Sequence, residues 1–292
     1  MKLHRSIVLL AIVLSSCGAA ADDPVHVMLT NDDGIASPGL AAVAEILSTD
    51  PHYRATVVAP AEQQSGKGTA LVIRDDIHVR PHEPLGGWPA WSVQATPATT
   101  ARLGVSTLLG NDPPQLVVSG INRGENIGRS AWYSGTVGAA REAVLSGVSA
   151  VAFSLELDWS DPQPDFVGAA RWVKPLIDAV VRDGLPEGVY LNVNIPRNTS
   201  TIRGYRIARM GLTPPEVARY DLVREEDGAR WFRSHWRPPI EFESGTDTRF
   251  LEEGWVAIVP LGLDHTHYPS LSLLQELEPS EPANQRPAAA RD

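Results

Sequence analysis

Between residues 25 and about 196 the chain alternates apolar runs of strand length with stretches whose apolar residues recur at helical spacing. That alternation dictates a parallel sheet with helices on its faces. Parallel neighbours need a long crossover, and a crossover helix must bury its own apolar stripe. The strand-like runs are residues 25–29, 56–59, 115–119, 149–154 and 189–194. After the first, Ser37 is a good N-cap and Pro38 suits the first helical position, with Leu40, Val43, Ala44 and Leu47 on one face. A second helix is expected from about 135 to 146, stopped by Gly147, and a third from about 164 to 182, ending at Gly184. Pro175 should kink or split the third. Right-handed crossovers then give a doubly wound, mostly parallel, three-layer α/β fold.

The pattern loosens after residue 196. Residues 202–250 hold Pro214-Pro215, Pro238-Pro239, mixed charge and a concentration of aromatics in Trp231, Phe232 and Trp236. Such a segment packs either into its own core or against another subunit. Residues 255–260 form one further strand, and residues 276–292, rich in Pro, Ala and charge, are expected to be disordered. The working domain is therefore 22–275.

Residues 1–21 resemble an export signal: Lys2 and Arg5 precede an apolar core, Ile7 to Leu14, too short to span a bilayer. Leu14-Ser15-Ser16-Cys17 is similar to the lipobox of bacterial lipoproteins, and Cys17 is the single cysteine. Cleavage near Ala19-Ala20-Ala21 and retention of an apolar tail are the competing readings. Acylation at Cys17, with a periplasmic or membrane-anchored protein, is the expectation; a cytoplasmic protein is the runner-up. A net charge of −10 and the lack of basic clusters exclude sequence-independent binding to long nucleic acid. They leave a small anionic substrate open.

Three loops follow three strands on what should be one sheet edge, where open α/β sheets bind ligands. The first holds Asn31-Asp32-Asp33-Gly34, the second Gln64-Ser65-Gly66-Lys67-Gly68, and the third runs from Ser119 through Asn122 and Asn126 to Gly128. The third leads to Ser134-Gly135-Thr136 at a helix start, whose unpaired N–H groups suit a phosphate. Adjacent carboxylates repel unless a cation lies between them. Two acids with neutral oxygens such as Ser65, Asn122 and Asn126 match one Mg²⁺ or Mn²⁺ better than zinc. A solvated Asx turn is the alternative for Asp32 and Asp33. No phosphate-binding G-x-x-x-x-G-K-[ST], dinucleotide G-x-G-x-x-G after the first strand, or hydrolase G-x-S-x-G occurs. His265-Thr266-His267 offers zinc two ligands without an obvious third, and an ordinary surface or supporting pair is the favoured reading.

Asn31-Asp32-Asp33-Gly34 with Pro38-Gly39, Ala59-Pro60…Gln64-Ser65-Gly66, Ser119-Gly120-Ile121-Asn122-x-Gly124-x-Asn126-x-Gly128 and the block from Tyr133 to Ala140 together resemble the stationary-phase survival protein (SurE) family. A weaker echo appears at Thr246-Asp247 and from Pro260 to Thr266. The resemblance implies a Rossmann-like core, a C-terminal β-rich oligomerisation arm and a homodimer or homotetramer. It implies a metal-dependent phosphatase of nucleoside monophosphates, a 5′-nucleotidase with possible 3′ activity. By the same resemblance Asp32, Asp33, Ser65 and Asn122 are the metal ligands, with Asp32 and Asp33 catalytic. Asn126, Ser134, Gly135 and Thr136 contact phosphate. The chain departs from the family at Ala95-Thr96-Pro97-Ala98-Thr99, where Gly-Thr-Pro-Ala-Asp is usual, and in its export signal. A nucleotide-sugar-dependent glycosyltransferase and a non-enzymatic nucleotide-binding lipoprotein are the alternatives.

Overall fold

A computed structural model describes residues 23–158, 160, 163–212, 216–237 and 242–275. The expected signal at residues 1–21, with Cys17, lies outside these residues, as do Pro214, Pro215, Pro238, Pro239 and the tail 276–292.

Nine strands form one sheet. In chain order they are β1 (Val25–Thr30), β2 (Tyr53–Pro60), β3 (Val79–Leu85), β4 (Trp88–Val93), β5 (Leu116–Arg123), β6 (Ser149–Leu155), β7 (Val189–Ile195), β8 (Tyr205–Ile207) and β11 (Val256–Gly262). Their spatial order is β3-β4-β2-β1-β5-β6-β7-β11-β8. The block from β4 to β7 is parallel throughout, while β3 and β11 run antiparallel to β4 and β7. Helices α1 (Pro38–Ser48) and α4 (Phe166–Asp183) cover one face, packing Leu40, Val43, Leu47, Val173 and Ile177 on Val27, Leu29 and Val118. Helices α2 (Pro97–Leu103) and α3 (Gly135–Leu145) cover the other, where Ala101, Val137 and Ala140 meet Met28, Val117 and Ala150. Both faces of the sheet are thus buried, which is why its central strands read as continuous apolar runs. The expected doubly wound, three-layer architecture is the one observed.

Helix α4 continues through Pro175 without splitting. An interior proline costs about 3 kcal/mol, offset here by burial of Ala169, Ala170, Val173, Ile177 and Val180 along one stripe. Strands β3 and β4 and helix α2 are additions to the elements expected from sequence. Strand β3 forms the exposed edge and carries Pro81 and Pro84, so it shows no apolar alternation. Beyond β8, β9 (Glu216–Glu226) and β10 (Ala229–Arg237) pair antiparallel as a hairpin separate from the main sheet. In it Phe232 is exposed rather than packed into the core. Two short helices, α5 (Asp247–Glu252) and α6 (Tyr268–Leu271), flank β11.

Candidate active site

Strands β1, β2 and β5 are parallel neighbours, so the three glycine-bearing loops that follow them leave the sheet at one edge. In the first loop the turn chemistry belongs to Asn31. Its fully buried side chain donates to Gly34 O (2.9 Å) and Ser37 Oγ (2.6 Å) and accepts from Gly34 N–H (3.2 Å). Ser37 Oγ in turn accepts from Leu40 N–H as the cap of α1. With the turn closed by Asn31, the carboxylates of Asp32 and Asp33 are left for other partners.

Asp32 is buried and points at the start of α3. The Thr136 hydroxyl donates to its Oδ1, and the Thr136 backbone N–H also stabilises the carboxylate. A Cβ on Gly135 would lie 2.7 Å from Asp32 Cβ and 2.8 Å from its Oδ2. Only glycine permits that approach. Burial, opposed by the Thr136 bonds and assisted by the charge of Asp33, pushes the Asp32 carboxyl up to about 6. Burial also raises Asp33, against the Arg123 N–H that donates to its Oδ2 at 2.8 Å.

Backbone hydrogen bonds draw the other loops to this pair. Gln64 N–H, one residue before the exposed Ser65, donates to Asp32 O (2.7 Å), and Arg123 N–H, one residue after Asn122, donates to Asp33 Oδ2 (2.8 Å). Asn122 commits its amide nitrogen to Gly124 O (2.7 Å), which leaves its side-chain oxygen to turn toward a cation. The second loop is seated on α3: Gly68 N–H donates to Tyr133 O (3.0 Å), and a Cβ on Gly138 would stand 2.0 Å from Gly68 O. Ser134 caps α3 by accepting from Val137 N–H (3.1 Å). Two carboxylates, with a hydroxyl at Ser65 and an amide oxygen at Asn122 on the adjoining loops, make a donor set of the kind that suits a hard divalent cation. Two neighbouring buried acids, both raised above the ordinary carboxylate range, are what such a cation would relieve.

Asn126 is held from below. Its N–H donates to Asn194 Oδ1 (2.7 Å), its Nδ2 to Ser154 Oγ (2.8 Å), and its carbonyl accepts from Asn192 Nδ2 (2.8 Å). Nδ2 carries a second hydrogen beyond the one given to Ser154. Sequence reasoning missed these supports, although two asparagines at alternate positions of the otherwise apolar β7 were a visible signal. It missed Thr99 as well. At the position of the family's usual acid, Thr99 Oγ1 accepts from Val72 N–H (2.9 Å) and pins the second loop to α2. Two residues before Ser134, Trp132 meets His265 edge-on at 4.8 Å, and His267 Nδ1 pairs with Ser270 Oγ at 2.6 Å. Among the described residues no group of three His, Cys, Asp or Glu is placed to hold a metal, so the zinc reading of these histidines has no third ligand there.

The profile described as "Survival protein SurE" matches residues 27–216, well over half of the chain. The chain belongs to the SurE family. It is 38% identical over 260 residues to the 5′-nucleotidase SurE of Desulfatibacillum aliphaticivorans, covering 88% of this chain and 100% of the relative. With that of Syntrophotalea carbinolica it shares 37% identity, over 85% of this chain and 95% of the relative. The crystal structure of the SurE protein from Aquifex aeolicus superposes with a TM-score of 0.75 at 32% identity, covering 87% of this chain and 100% of that one. The SurE match spans all three loops and the start of α3.

Proposed function

We propose that this SurE protein is a 5′-nucleotidase that hydrolyses nucleoside monophosphates with one divalent cation, Mg²⁺ or Mn²⁺, held by Asp32, Asp33, Ser65 and Asn122. The observation that carries the reading is the buried Asp32–Asp33 pair at the end of β1, set against the first turn of α3. The curated relatives named 5′-nucleotidase favour hydrolysis over the nucleotide-sugar transferase and the non-enzymatic binder.

When bound, the cation supplies positive charge that polarises the phosphoryl oxygens and lowers the pKa of water beside it. The Gly135 N–H, unpaired at the helix start, and the Asn126 amide bind the phosphate oxygens and share the charge that develops as the group transfers. Ser134 fixes the geometry of that turn by its capping bond. Thr136 orients Asp32 through the hydroxyl it donates. An oxygen of Asp32 or Asp33 orients the attacking water and accepts its proton as the P–O bond to the nucleoside breaks, and the leaving oxygen takes a proton from solvent. Orthophosphate release from nucleoside 5′- and 3′-monophosphates, measured with chelator and after Mg²⁺ or Mn²⁺ is restored, tests the reading. Activity should vanish and return; full turnover in metal-free protein would overturn it.

Export and acylation at Cys17 are proposed on the sequence of the first residues alone, and the hairpin arm is proposed to join copies of the chain into a homodimer or homotetramer. Mass spectrometry of the native amino terminus should find a lipid-modified Cys17. An unmodified Met1, or a start near Asp22, would rule the anchor out.

A further inference from the structure

We propose that Asp247 is a positioning residue that fixes the loop between Asn122 and Gly128 against the root of the hairpin arm. Its side chain is fully buried and accepts three backbone N–H groups, each at 2.8 Å. Oδ2 takes Gly128, and Oδ1 takes Gly211 and Thr248. Gly211 and Asp247 lie on either side of the β9–β10 hairpin in sequence, so both feet of the arm meet at this carboxylate. The Asp247 N–H closes the junction by donating to Arg209 O at 2.9 Å. A Cβ on Gly211 would stand 2.9 Å from Thr248 Oγ1 and 3.2 Å from Asp247 Oδ1, so the junction has little room for a side chain.

Capping α5 does not explain the acid. Thr246 already caps that helix by accepting from Arg249 N–H. What a carboxylate adds is acceptors on both sides and no donor. An asparagine would turn an N–H toward one of the three N–H groups and leave that one opposed. The catalytic loop is thus gripped at two points. Side chains of β6 and β7 hold Asn126, and Asp247, from the far end of the chain, holds Gly128 two residues later.

This inference rests on the proposed role of Asn126 at the phosphate. The test compares full-length Asp247→Asn and Asn126→Ala with wild type, reading kcat and KM for a nucleoside monophosphate at saturating Mn²⁺ alongside the melting temperature. Asp247→Asn should raise KM about tenfold with kcat changed far less, as a displaced binding loop requires. A lowered melting temperature with unchanged KM would make Asp247 merely structural and overturn the inference. Unchanged KM in Asn126→Ala would instead sink the phosphate reading. Should Asp247→Asn fail to fold, hydrogen exchange of the wild-type Gly128 amide decides: sheet-like protection supports the clamp, and loop-like exchange removes it.

Discussion

At the scale of single residues, Asp32 concentrates the electrostatic cost of the site. A carboxyl raised to about 6 by burial favours the protonated form in the folded state. The stability this adds is fully present below the unfolded value near 3.8 and is lost as pH rises through about 6. In metal-free protein the loss is on the order of 3 kcal/mol, and Asp33, raised in the same direction, adds to it. Calorimetry in chelator should therefore show wild type losing stability between about pH 4 and pH 6.5 relative to Asp32→Asn, whose amide carries no charge to bury. Added Mn²⁺ should reverse the ranking at pH 7.5, because only the wild type keeps both acidic ligands. Turnover of Asp32→Asn and Asp33→Asn should each fall by orders of magnitude. Wild-type turnover in both variants at limiting metal would reduce the pair to a polar turn.

At the scale of elements, the first turn of α3 is the most demanding part of the site. Gly135 faces Asp32 on one side, and its Cβ would also come within 2.9 Å of Pro97 Cγ on the other. Even Gly135→Ala should cut turnover at least tenfold, since relieving the clash displaces the carboxylate that the cation needs. Thr136→Ser should stay near wild type by keeping the hydroxyl donor, whereas Thr136→Val should demand more Mn²⁺ for half-maximal activity. Equal kinetics for all three would detach α3 from the chemistry. Much of this was legible in the sequence. Ser37-Pro38 and Ser134-Gly135 announced helix starts, and the apolar runs announced buried strands, because caps and burial are local signals. Strand β3 was not legible, since an exposed, proline-bearing edge strand carries no periodicity. Helix α2 was missed although Thr96-Pro97 is the same cap-and-proline signature as Ser37-Pro38. Asp247 was invisible as a support for a different reason: its main partners are backbone N–H groups 119 and 36 residues away, which no side-chain pattern records.

At the scale of the whole molecule, the hairpin arm is the part that a single copy leaves unfinished. A two-stranded ribbon is marginal in water unless something covers it. Leu222 pairs across the ribbon with Phe232, and Tyr220 stands two positions along from Leu222 on the same face. These side chains are 52%, 56% and 67% exposed. Trp231 is partly shielded by the Arg224 guanidinium, 3.7 Å from its ring centre, whereas Leu222, Phe232 and Tyr220 remain exposed. A second copy of the chain presenting the same apolar stripe would bury both at once, the self-complementary arrangement of a two-fold dimer. Light scattering on wild-type protein should therefore report a dimer or tetramer, and Leu222→Asp with Phe232→Asp should shift it toward smaller species. Leu222 and Phe232 sit out on the hairpin strands rather than at its root, where Asp247 holds Gly128, so the double variant should keep its metal dependence while its mass falls. An unchanged mass in a folded double variant would show that the arm is not what holds the copies together.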